Sequence, residues 1–176
     1  GAQMDTQSLG AADKVEASMV AQEEAPLIDG SVRGGEYGVN LHYDGIVIGL
    51  ALVRDTVYVS AAAETTGWVA VGFGSDKMDG ARILFSFVDG KGRARFTEQE
   101  GSGHKHRDVS KTVATAHAVA ESDGITTLEA ALPVAFIRGT VDESGLFPMI
   151  MAYGMRDSMR VIHRFFNSIE LVFGGP

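Results

Sequence analysis

From Leu27 onward, apolar and polar residues alternate with a two-residue period in short runs, which is the pattern of half-buried strands rather than helices. Tyr37 to Tyr43 alternates, and Asp44-Gly45 is a hairpin signal leading into the apolar run Ile46 to Val53. Arg54-Asp55 turns the chain into Thr56 to Ala61, and Gly67 to Phe73 forms the next strand. Arg82 to Val88 follows and ends at Asp89-Gly90 before Arg93 to Phe96. After a polar loop, Val113 to Val119 and Thr126 to Leu132 flank the turn Ser122-Asp123-Gly124. Phe147 to Tyr153 and Val161 to Phe173 complete the series. About ten short strands with turns at close intervals predict an all-β fold, an antiparallel immunoglobulin-like β-sandwich, over residues 27–176.

Residues 1–26 read differently. They are polar, rich in Ala, Gln and Glu, and are expected to be a poorly ordered spacer, such as the mature end left when an export leader is removed. A helix over Ala11 to Glu24 is the competing reading, because Val15, Met19 and Val20 recur at helical spacing.

Composition narrows the function classes. A net charge of −8 argues against nucleic acid or an anionic membrane surface as the main partner. The chain has no cysteine, which excludes disulfides, thiolate metal sites, iron–sulfur clusters and covalent haem attachment. No apolar run approaches the roughly 20 residues that span a bilayer, so no transmembrane segment is expected. Enzyme signatures are thin: there is no G-x-S-x-G, H-E-x-x-H or phosphate loop, and Gly72-Phe73-Gly74 leads into no helical segment. Asp123 and Glu129 are carboxylates without an evident partner, and Glu129 is expected to face solvent or an arginine.

Two clusters carry chemistry. Thr65-Thr66-Gly67-Trp68-Val69-Ala70-Val71-Gly72-Phe73-Gly74 holds the only tryptophan and leads into Met78, a thioether among Ser75, Asp76, Lys77 and Asp79. A methionine in such polar company fills a core poorly, which raises the question of a soft partner for its sulfur. The loop from Gly101 to Asp108 carries His104 and His106 around Lys105, an arrangement able to grip a divalent ion but opposed by Lys105 and Arg107. His42 and His117 are the remaining sources of a third imidazole for such a site. Met149 and Met151 alternate within one strand and read as core filling.

The ordered motifs IDGSVRGGEY, TTGWVAVGFG, KMDGARILFSFVDG, GSGHKHRD, DGITTLEAALP, MAYG and VIHRFFNSIELVF resemble the DOMON domain family, in particular its bacterial single-domain members. The resemblance covers roughly residues 28–173. The same fold group includes the cytochrome domain of cellobiose dehydrogenase and the haem subunit of ethylbenzene dehydrogenase. It implies a sandwich holding a b-type haem, with Met78 after the GW strand as one axial ligand to the iron and His163 on a late strand as the other. Trp68 and Met159 would then line the haem, and Lys105, Arg82 and Arg164 would meet its propionates. By the two-residue period, Met159, Val161, His163 and Phe165 share one strand face, so His163 reads either as a ligand or as a core histidine.

The function implied is one-electron transfer by an exported, periplasmic or extracellular module that does no catalysis of its own. A redox partner protein carrying a basic patch would complement its acidic surface. The alternatives are a non-haem sandwich that binds a sugar or another small ligand in the same pocket, and a protein-interaction module.

Overall fold

The structure is a computed structural model that describes residues 5–8, 15–139, 141, 146–157 and 165–173. In chain order the strands are β1 (Asp5–Ser8), β2 (Val15–Met19), β3 (Val39–Tyr43), β4 (Ile46–Val53), β5 (Thr56–Ala63), β6 (Val69–Phe73) and β7 (Arg82–Val88). They continue with β8 (Ala94–Ser102), β9 (Lys105–Asp108), β10 (Ala116–Ser122), β11 (Ile125–Pro133), β12 (Phe147–Tyr153) and β13 (Phe165–Phe173). One short helix, α1 (Val134–Arg138), follows β11.

The strands form two sheets, a six-stranded one ordered β1-β3-β4-β5-β11-β10 and a seven-stranded one ordered β2-β13-β12-β6-β7-β8-β9. Neighbours run antiparallel except for β1 beside β3 and β2 beside β13, which are parallel. The expected β-sandwich is therefore what the chain forms.

Alternation decides what fills the space between the sheets. Ile48, Leu50, Val57, Val59, Leu128 and Leu132 face inward from the six-stranded sheet. Val69, Val71, Phe73, Leu84, Phe147, Met149 and Met151 face them from the seven-stranded sheet. Met149 and Met151 are fully buried in this core, as their alternation predicts. Phe73 and Phe147 stack at 5.8 Å between the neighbouring strands β6 and β12. At Asp44-Gly45 the hairpin needs glycine twice over: Gly45 has φ 78°, and a Cβ there would overlap the Tyr153 hydroxyl.

Within residues 1–26, expected to be a spacer, the described residues include the strands β1 and β2. Val15–Met19 is neither free nor helical but an edge strand beside β13, with Ala17 and Met19 buried in the core. A two-residue reading of Val15, Ala17 and Met19 competes with the helical one, and an open sheet edge with apolar residues beside it settles the matter for the strand.

Glu129 also departs from expectation. It is fully buried rather than facing solvent or an arginine. On β11 it points away from the core, but the segment between Asp29 and Tyr37 folds over it. Its carboxylate accepts the Asp29 and Gly30 N–H groups at 3.0 and 2.8 Å and the Tyr37 hydroxyl at 2.9 Å. Burial raises its pKa against the opposing pull of those hydrogen bonds, and burial likewise raises that of Tyr37.

Candidate functional site

The two-residue period that fills the core leaves a second set of residues on the outer face of the seven-stranded sheet. In β7, Leu84 points inward while Ile83, Phe85 and Phe87 point outward. Ala70 of β6, Ile150 and Ala152 of β12, and Trp68 just before β6 share that outer face. Together with Ala81 they make a compact apolar cluster, separate from the main core, against which Phe87 and Met78 pack. Trp68 and Phe85 lie 5.3 Å apart between ring centres, and Phe85 meets Phe87 edge-on at 6.0 Å.

Trp68 is held in place by the turn around it. Its indole lies directly over Gly154, where a Cβ would overlap the ring. The Gly154 N–H donates to the Trp68 carbonyl at 3.0 Å, and the buried Thr65 hydroxyl donates to the Gly154 carbonyl at 2.7 Å. The Trp68 Nε1 is buried and has no acceptor among the described residues. A buried indole N–H without a partner is uncommon.

Met78 reaches this face from the turn between β6 and β7. Its carbonyl accepts the Ala81 N–H at 3.1 Å, and its half-buried side chain packs on the apolar cluster rather than standing in the polar loop. The residues present fit a haem on this side: a soft thioether beside an aromatic and aliphatic face is the donor and surface that iron porphyrin favours. The other residues proposed for the same group, His163, Met159 and Arg164, lie outside the described residues.

The remaining candidates are distributed otherwise. Arg82 is on the inward side of β7, paired with the buried Glu98 at 2.7 Å and with Glu100 at 3.3 Å. It is committed to carboxylates on the face opposite to Met78, so the structure does not bring it to a propionate there. The reason is parity: Arg82 is one residue from Ile83, and one residue reverses the face. Glu98 also accepts the Val113 and Ala114 N–H groups, which makes Arg82 part of a structural anchor for that loop.

Lys105 begins β9 and is exposed at the hairpin tip, and Arg107 faces Glu100 at 3.8 Å. His104 is exposed in the same turn, while His106 is half-buried with its Nδ1 shielded and without a partner among the described residues. No group of three or more His, Cys, Asp or Glu gathers to hold a metal among the described residues. His42 is on β3 of the other sheet, and His117 on β10 stacks flat on Phe96 at 3.9 Å, so neither completes the His104/His106 pair.

The sequence profile of the DOMON domain matches residues 48–145, more than half of the chain. The mouse DOMON domain-containing protein FRRS1L is 30% identical over 93 residues, covering 52% of this chain and 32% of the mouse protein. The chain therefore spans only about a third of that curated relative. Among solved structures, the cytochrome b domain of pyranose dehydrogenase from Coprinopsis cinerea superposes with a TM-score of 0.56 at 14% identity, over 72% of this chain and 76% of that one. The cytochrome domain of Myriococcum thermophilum cellobiose dehydrogenase gives 0.53 at 9% identity, over 73% and 75%. At such identities the likeness is one of fold. The chain belongs to the DOMON family, and it shares the β-sandwich fold of these two domains. No helix among the described residues is long and apolar enough to cross a membrane.

Proposed function

We propose that this chain is an exported b-type haem-binding DOMON module that passes single electrons, in which Met78 and His163 would hold the iron. The observation that carries the reading is the placement of Met78: a thioether that packs on the apolar cluster of the outer face instead of standing in its polar turn. The family and the fold of the two cytochrome domains support it.

A haem held by a thioether and an imidazole supplies a one-electron couple, and the thioether favours the reduced state. Two protein ligands leave no open position, which suits transfer rather than oxygen chemistry. The cluster around Trp68 and Phe85 excludes water from one side of the site and offers flat apolar contact. A net charge of −8 suits a redox partner presenting a basic patch, by complementarity that speeds encounter.

Titration of the purified protein with haemin, followed by absorption, tests the proposal. The expected result is a Soret shift and sharp low-spin bands on reduction, lost in Met78→Ala and in His163→Ala. Absence of any shift in the wild-type protein would sink it. Glycan binding without haem uptake would place the chain with non-haem ligand modules instead.

A further inference from the structure

Two motifs that stand apart in the sequence, KMDG and GSGHKH, meet in the fold. β8 and β9 form a hairpin in which Gly101 pairs with His106 and Ser102 with Lys105. On the other side β8 pairs with β7, placing Gln99 opposite Ile83. Cross-strand partners share a face, so Gln99, Gly101, His106 and Asp108 lie on the same outer face as Ile83 and Phe85. That is the face on which Met78 packs.

The contact at Gly101 is backbone-close. A Cβ there would overlap the Met78 carbonyl and lie 3.3 Å from Met78 Cγ. Only a residue without a side chain admits the Met78 turn at this height above the sheet. The turn is then pinned from three directions. Gly80 N–H donates to the Gly101 carbonyl at 3.1 Å, and Gly101 N–H to the Ala81 carbonyl at 3.0 Å. Gly103 N–H donates to Asp79 Oδ1 at 2.8 Å. Beside this seat, His106 Nδ1 and Gln99 Oε1 are both buried and without hydrogen-bond partners among the described residues, although Gln99 Nε2 is engaged with Asp108 at 2.8 Å. The hairpin thus holds the methionine and leaves unsatisfied polar atoms next to it, on one face.

We infer that the β8–β9 hairpin is the seat of Met78, in which Gly101 positions the thioether and the His106 ring, on the same face, contacts the group that Met78 would hold. The role given to His106 rests on the haem reading above; the role given to Gly101 stands on the contact alone. Of the two histidines on this hairpin, only His106 lies on the methionine's face of the sheet, while His104 is exposed in the turn.

Two measurements on the full chain separate these roles. In haem-free protein with isotope-labelled methionine methyl groups, Gly101→Ala is expected to move the Met78 methyl resonance. Gly90→Ala, at a turn with open space around it and an ordinary φ, is expected to leave it in place. If Gly101→Ala fails to fold, Asp79→Ala, which removes only the anchor to Gly103, is expected to move the same signal by less. An unmoved Met78 methyl in the folded variants would overturn the positioning role.

In haemin titrations, His106→Phe keeps a ring but removes the nitrogen. It is expected to weaken binding about tenfold, the worth of roughly one lost hydrogen bond, with its melting temperature unchanged. His106→Gln is expected to recover most of that loss. Haemin affinity and spectrum in His106→Phe identical to wild type would overturn the contact. A wild-type protein that takes up no haemin would sink the haem reading and the His106 contact together, while the methyl signal would still decide Gly101.

Discussion

Replacing Glu129 tests how the outer face of the six-stranded sheet is closed. Its carboxylate is the shared acceptor of the Asp29 and Gly30 N–H groups and the Tyr37 hydroxyl, and both Gly30 and Tyr37 are buried. Glu129→Ala would leave three donors without an acceptor, of which Asp29 N–H is near enough to the surface to find water. With about 1–3 kcal/mol for each of the two buried donors left unsatisfied, the expected loss is about 2–6 kcal/mol. Glu129→Gln keeps the shape and one acceptor oxygen but presents an NH2 to one of the donors, so a loss of about 1–2 kcal/mol is expected at neutral pH.

Urea unfolding followed by the emission of Trp68, the only tryptophan and a buried one, reads both variants against wild type. The pH dependence has a fixed sign. Burial raises the folded-state pKa of Glu129 above its ordinary value of 4.5, so between those two values the folded state binds more protons than the unfolded state. The stability this group contributes is therefore fully present below about 4.5 and declines as pH rises through the raised value. The advantage of wild type over Glu129→Gln should shrink across that window. A loss in Glu129→Ala below about 1 kcal/mol would refute the reasoning. So would an advantage over Glu129→Gln that stays flat or grows with pH.

Other consequences are narrower. Gly154→Ala places a Cβ into the Trp68 indole and is expected to cost about 1–3 kcal/mol as overpacking, with a shifted Trp68 emission maximum as the local sign. Arg82→Met strands the fully buried Glu98 carboxylate and should cost about 3 kcal/mol in urea unfolding. Arg107→Met, which removes an exposed pair at 3.8 Å, should cost at most about 1 kcal/mol. Equal costs would show that burial does not separate the two pairs.

The strands of the sandwich were legible because alternation is a local property: residues two apart must face the same way, whatever lies opposite them. Asp44-Gly45 and Asp123-Gly124 were legible as turns for a similar reason, since a tight hairpin needs residues that tolerate positive φ, and Gly45, Asp123 and Gly124 adopt it. Val15–Met19 was misread because a five-residue apolar pattern fits two periods, and only the free edge of β13 chooses between them. Glu129 was misread because alternation tells which face a residue takes, not what chain will later cover that face.

The same division runs through the candidate site. The sequence by itself determined the GWVAVGFG strand, the all-β class, the family, and the oddness of Met78 in a polar turn. The resemblance implies Arg82 at a haem propionate, and one step of strand parity turns it to the face opposite Met78, onto Glu98. The tertiary structure alone decided that Met78 leaves its polar neighbours for an apolar face. It also decided that Gly101, from a motif more than a strand away, is what lets it approach. The physical reason is that a contact across strands depends on register, and register is set by every pairing in the sheet at once rather than by any short stretch of chain.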